Sequence, residues 1–139
     1  MHATINWGGK VHFTATADSG HTIALDGPPE AGGENRGPRP MELVLMGLGG
    51  CSSFDVVNIL QKARQEVVDC VTELDAERAT DVPQVFTRIH LHFKVSGRGL
   101  DAAKVARAVS LSAEKYCSAS IMLERAGVAI SHDFEVIEV

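Results

Sequence analysis

Proline is scarce in this chain, five in 139 residues, and neither an internal repeat nor a low-complexity tract interrupts it. With 45% hydrophobic residues the chain has enough apolar material for a real core, so a single compact domain over residues 1–139 is expected. Positive charge is also in short supply. Thirteen Lys and Arg stand against eighteen Asp and Glu, a formal net charge of −5, and the basic residues are not clustered. Nucleic acids and anionic membrane surfaces are met by clustered Lys and Arg, so neither is an expected partner. The opening segment MHATINWGGK lacks a charged stretch followed by an apolar one, and no membrane span is read anywhere in the chain. A cytoplasmic location is the resulting expectation. No Gly-rich phosphate-binding turn follows a strand, which removes the usual nucleotide fingerprints. Cysteine is sparse as well: Cys51, Cys70 and Cys117 match no zinc-ribbon spacing. In a reducing compartment they read as free thiols or redox groups rather than a disulfide framework.

What is present divides into elements. Residues 3–26 supply three alternating segments, ATINW, VHFTATA and HTIALD, parted by Gly8-Gly9 and Asp18-Ser19-Gly20, which predicts an antiparallel meander. Residues 27–40, GPPEAGGENRGPRP, hold Gly, Pro and charge without periodicity and read as a mobile loop. Pro40 suits the first turn of a helix that runs to about Gln65. From Leu43 to Cys51 this helix has almost no polar residue on any face, so its first half is expected to be buried all round. Beyond Phe54, Asp55, Asn58, Gln61, Lys62 and Arg64 take one side. Strands at 67–79 and 85–97 follow; in RIHLHFK, Ile89, Leu91 and Phe93 face one way and Arg88, His90, His92 and Lys94 the other, so one sheet face is wet. Asp101 can cap a helix ending near Cys117, Ser118 or Ser120 can start a shorter one closed by Gly127, and AISHDFEVIEV is the last strand. The order is α+β, with no βαβ repeat.

The stretch MGLGGCSSFDVV sets three glycines just ahead of Cys51 inside a helix. Each interior glycine costs roughly 0.8–1 kcal/mol against alanine, or about 2–3 kcal/mol for Gly47, Gly49 and Gly50 together, so something must approach that face closely. Cys51 then lines the space so formed, or is an inert small residue at a tight crossing. Cys117 lies at the break between two helical segments. If the second starts at Ser118, its free N–H groups lower the thiol pKa and favour thiolate. One cysteine mid-helix and one near a helix start suit a pair in which one thiolate attacks a peroxide and the other resolves the sulfenic acid to a disulfide. Cys70 shares strand parity with Val68 and Leu74 and is read as a core residue. His90 and His92 put two imidazoles on one strand face without a third ligand at a suggestive spacing, so a solvated face is expected there and neither a metal nor another cofactor. Glu114 and Tyr116, just before Cys117, can shape a pocket.

RPMELVLMGLGGCSSFDVV around Cys51 and LSAEKYCSASIMLE around Cys117 resemble the OsmC/Ohr superfamily, and within it the YhfA-like branch. NILQKARQEVVDC, FTRIHLHF and ARAVSLSAEKYC extend the resemblance to nearly the whole chain. It implies an OsmC-like α+β fold with antiparallel sheets wrapped around long central helices in an intertwined homodimer. It also implies a thiol peroxidase of oxidative stress defence that prefers organic hydroperoxides to hydrogen peroxide, with Cys51 peroxidatic and Cys117 resolving. A dithiol reductant, a lipoyl protein or a thioredoxin-type one, then restores both thiols. Cys51 sits about three turns inside its helix, too deep for the helix dipole to activate it. In active members an arginine from the preceding loop does so, held by an acidic side chain. Here that stretch reads RPMEL: Glu42 remains, Met41 stands in place of its acidic neighbour, and Arg36 and Arg39 are the nearby arginines. The competing expectation is a non-catalytic dimer of the same fold that binds a small hydrophobic ligand.

Overall fold

In the computed structural model, which describes residues 1–139, strands β1 (Ala3–Trp7), β2 (His12–Ala17) and β3 (Thr22–Asp26) form the expected antiparallel meander. Trp7 pairs with Phe13, and Phe13 with Leu25. Residues 1–44 form one compact unit and residues 45–139 another. In the first, Asp26 ends β3 with its carboxylate buried, accepting the backbone N–H of Gly27 (2.9 Å), Glu34 (3.0 Å) and Arg36 (3.1 Å). These donors hold its pKa below the ordinary carboxylate value, the Glu34 and Arg36 bonds contributing most. The Asp26 N–H in turn reaches the Pro38 carbonyl at 3.2 Å. The loop read as mobile is therefore pinned from within, around a short 3₁₀ turn at Pro29–Ala31. One aspartate at a strand end carries no sign in sequence that it will gather three amides one, eight and ten residues on.

Helix α1 covers Pro40–Lys62. Pro40 takes the first helical position, where its missing N–H costs nothing, and Glu42 Oε1 accepts the Arg39 N–H at 2.8 Å, half of a capping box. The helix stops before the expected Gln65 because Arg64 adopts a left-handed φ of 59°, with the Gln65 N–H on the Leu60 carbonyl and the Arg64 N–H on that of Gln61. This is a Schellman ending built without glycine, so no glycine marks it in the sequence. Leu48, Ser52, Val56 and Leu60, every fourth residue, form the buried stripe together with Gly49. A Cβ on Gly49 would come within 2.8 Å of Leu74 Cδ1, so the glycine lets the end of that side chain lie close against the helix. At Gly47 and Gly50 nothing lies within 4 Å of such an atom. Accordingly the first half of α1 is not buried all round in the single chain: Val44 and Met46 are exposed, and further along the helix so is Phe54, at 70%. By length and composition alone α1 would also pass for a membrane span, which the sequence reading did not expect. Its buried stripe, with Ser52 in it, is the pattern of a core helix in a globular unit.

The second sheet has the order β4 (Glu66–Arg78), β5 (Phe86–Arg98), β6 (Ala129–Glu138). β4 and β5 pair antiparallel, but β6 runs parallel to β5, so this sheet is mixed rather than antiparallel as expected. The helical connection between β5 and β6 returns the chain to the end where β5 began, which a tight hairpin cannot do. Ile89, Leu91, Phe93 and Val95 line the inner face of β5, all nearly or fully buried, and the predicted alternation holds. Burial of such side chains contributes on the order of 1.5–3 kcal/mol each. On the outer face the parallel register sets His92 opposite Asp133, and Asp133 Oδ1 bonds both His92 Nδ1 (2.6 Å) and His90 Nε2 (2.9 Å). Asp101 caps α2 (Ala102–Leu111) by accepting the Ala103 N–H at 2.9 Å. The helix expected to reach Cys117 gives way at Ser112–Tyr116 to a single π-helical turn, after which α3 (Ser118–Arg125) begins with Cys117 as its cap and is closed by Gly127.

Candidate active site

The stripe of α1 and the cap of α3 meet. Ser52 Oγ lies 3.2 Å from Cys117 Sγ although 65 positions separate them, and the Ser120 N–H points at the same sulfur from 3.4 Å. Cys117 is fully buried. Its position at the α3 cap is the one expected from sequence, but the expected thiolate is not. Burial is the largest influence and raises its pKa; the Ser52 hydroxyl and the Ser120 amide oppose it without prevailing, and the neighbouring Cys51 thiol raises it further. One amide at a short helix start does not overcome desolvation.

Cys51 adjoins Ser52 on α1 and is half-buried. Its sulfur, that of Cys117 and a carboxylate oxygen of Asp55 all lie within 4.8 Å of one another. Cys51 and Asp55 are one helical turn apart and so share a face. The Asp55 carboxylate has its pKa raised by burial, partly offset by the hydroxyl of Ser112, which donates to Oδ2 at 3.4 Å and to the Ser52 carbonyl at 3.3 Å. Asp55 was read from sequence as part of the polar side of α1; it belongs instead to the thiol cluster. Ser52, Ser112 and Ser120, all buried, were missed too. Ser52 left a trace, being the one polar residue on the stripe of Leu48, Val56 and Leu60.

The other residues singled out lie in varied places. Arg36 pairs with Glu34 (2.7 Å), and Lys10 pairs with the same carboxylate. The Arg39 guanidinium donates to Asn35 Oδ1 and to the Gly37 carbonyl, both at 3.2 Å, while Glu42 caps α1 as described. Glu114 and Tyr116 stand exposed on the π turn, with Lys115 Nζ 5.3 Å from the tyrosine ring. Cys70 is half-buried on β4, and burial followed by Asp69 raises its pKa against the Thr72 hydroxyl. Its expected parity with Val68 fails, because the β4–β5 register slips between Val67 and Asp69 and leaves Val68 as an exposed bulge. Cys70 keeps the face of Thr72 and Leu74.

An α+β fold in which a long, largely apolar helix presents one thiol to a second at the cap of a later helix defines a class of paired-cysteine proteins. The family model described as OsmC-like protein matches residues 32–133. Protein YhfA of Escherichia coli K12 is 52% identical over 137 residues, 99% of this chain and 98% of its own. A hypothetical protein from Aquifex aeolicus VF5 superposes with a TM-score of 0.81 at 29% identity, covering 97% of this chain and 96% of that one. The organic hydroperoxide resistance protein OhrB of Bacillus subtilis shares the fold, with a TM-score of 0.63 at 22% identity over 96% of each chain. The chain belongs to the OsmC-like family.

Proposed function

We propose that this protein is a cysteine-based thiol peroxidase that reduces organic hydroperoxides. The observation that carries the reading is the approach of the Cys51 and Cys117 sulfurs to within 4.8 Å, one half-buried and one fully buried. The Cys51 sulfur, as thiolate, attacks the terminal oxygen of the hydroperoxide; the O–O bond breaks, the alcohol departs with a proton, and Cys51 is left as sulfenic acid. Cys117 then attacks the Cys51 sulfur, water leaves, and a disulfide joins the two. Two electrons from a dithiol reductant, lipoyl or thioredoxin-type, restore the thiols. Burial that keeps Cys117 protonated fits the resolving role, since it holds that thiol back until a sulfenic acid forms beside it. The name of the B. subtilis neighbour supports hydroperoxides as the substrate class. The setting is a cytoplasmic homodimer, in which a second copy covers the apolar residues that α1 leaves exposed, Val44, Met46 and Phe54.

Peptide-mapped mass spectrometry of the reduced protein after a brief stoichiometric pulse of an organic hydroperoxide tests this, with a hydrogen peroxide pulse alongside. The expected result is a Cys51–Cys117 disulfide within seconds, faster with the organic peroxide, and sulfenic acid trapped at Cys51 when Cys117 is replaced by Ser. Thiols that stay reduced, or oxidise without preference for Cys51, overturn the reading.

A further inference from the structure

We propose that the reduced chain also holds one thiophilic divalent cation, zinc or an ion of zinc's size and preferences, between Cys51 Sγ, Cys117 Sγ and the Asp55 carboxylate, with a fourth position left to water. The three donor atoms lie within 4.8 Å of one another. Two thiolates and a carboxylate are a donor set that zinc accepts. With Zn–S near 2.3 Å and Zn–O about 2.0–2.2 Å, ligands on a tetrahedral ion stand roughly 3.5–3.8 Å apart, so the cluster needs to close by about an ångström. The helix supplies Cys51 and Asp55 from one face, and the α3 cap supplies Cys117 from across the core. Asp55 takes part in no ion pair, and its one hydrogen bond is the long one from Ser112; a half-buried carboxylate facing two thiols is short of a cation.

Supporting groups are already in place around the donors. The Ser52 hydroxyl and the Ser120 N–H both reach Cys117 Sγ, and the Ser112 hydroxyl reaches Asp55 Oδ2, the kind of outer contacts that fix ligands and tune a metal. Cys51 is half-buried, which leaves an entry path. The ion takes both sulfurs as thiolates, so protons compete with it and affinity rises with pH. Spacing along the chain gives no sign of this set, because the fold assembles it from two helices distant in sequence. The site requires only reduced cysteines, not a peroxide reaction; if Cys51 is peroxidatic, the ion and the peroxide compete for one sulfur.

The experiment titrates the reduced full-length protein with Co²⁺ and then Zn²⁺, with no peroxide present, following absorbance, metal content after desalting and proton release. The expected result is one ion per chain, tetrahedral cobalt bands with sulfur-to-metal charge transfer, proton release on binding, and displacement of cobalt by zinc. Asp55→Asn, which keeps the shape of the side chain, weakens binding by about tenfold or more. Cys51→Ser diminishes the charge-transfer band, while Cys70→Ser leaves stoichiometry and spectrum unchanged. Circular dichroism confirms that each variant is folded. Absence of retained metal, a spectrum unaltered by Cys51→Ser, undiminished affinity in Asp55→Asn or dependence on Cys70 each overturns the inference. A chain that binds zinc in this way yet leaves hydroperoxides untouched sustains the metal site and removes the peroxidase reading.

Discussion

Cys70 and the Cys51/Cys117 pair offer the same functional group in the same unit, yet the surroundings differ in kind. Cys70 lies half-buried on β4 with Thr72 and the Asp69 charge beside it. Cys117 is more deeply buried, and its neighbours are a second thiol, two serines and, through Cys51, a carboxylate. Desolvation raises the pKa of both Cys70 and Cys117, so burial does not distinguish them. A second sulfur within reach does, because disulfide formation and bidentate metal capture both need two. Company, more than burial, is what separates the two settings.

The sharpest way to break this comparison is to remove one member of the pair. Cys51→Ser is expected to cut oxidation by an organic hydroperoxide by orders of magnitude, to the rate of an ordinary thiol, while Cys70→Ser leaves it within a small factor; timed peptide mapping reads both. Equal losses would mean that the pair has no special chemistry. Next in size is stability. Cys117→Ala strips the acceptor from the Ser120 N–H and the partner from the Ser52 hydroxyl in a buried site, at a cost of about 1–3 kcal/mol. Cys70→Ala, on a half-buried strand position, is expected to cost less, and urea unfolding of the two variants checks the order.

Helix α1 allows a finer test next to Cys51. Gly49→Ala gains about 1 kcal/mol of helix propensity but sets a methyl 2.8 Å from the end of the Leu74 side chain, which has to move aside, so it is expected to stabilise less than the same change at Gly50. Gly50→Ala meets nothing within 4 Å in the single chain and is expected to stabilise by up to about 1 kcal/mol. A loss at Gly50, read in thermal unfolding at several concentrations, would show that a second copy packs on that face. The smallest effect lies away from the thiols. His92 has its pKa raised by Asp133 and then Glu135, so its contribution is fully present below the ordinary value of 6.5 and is lost as pH rises through the raised one. Asp133, lowered by His92 and His90, contributes above its ordinary 3.8 and loses that as pH falls through its lowered value. His92→Gln should therefore flatten the decline of stability above about pH 6.5, measured by unfolding across pH, with no change in thiol oxidation.

Elements governed by local rules were readable in advance. The meander of β1–β3 followed from alternation and its Gly-containing turns, α1 from Pro40 and a long apolar run, the Asp101 cap and the Gly127 stop from capping chemistry, and the two faces of β5 from period-two patterning. The cysteine pair was also anticipated, but through resemblance and thiol chemistry rather than through distance.

The rest was not readable in advance: part of it is local contact without a periodic signature, and the part that builds the site is contact between residues far apart in sequence. Asp26 ordering a loop through three backbone amides, β6 joining β5 in parallel, and Arg64 ending α1 in place of a glycine leave no periodic trace. The same holds for the cluster of Ser52, Asp55, Ser112 and Cys117. Amphipathic periodicity reports which face of a helix is apolar, and it classed Asp55 with the solvent side. It cannot report that the π turn and the α3 cap bring Cys117 and Ser112 to that helix. Residue types and spacing along the chain determined the elements and named the thiols; packing decided which side chains share the pocket, because proximity across the core is set by the path of the whole chain.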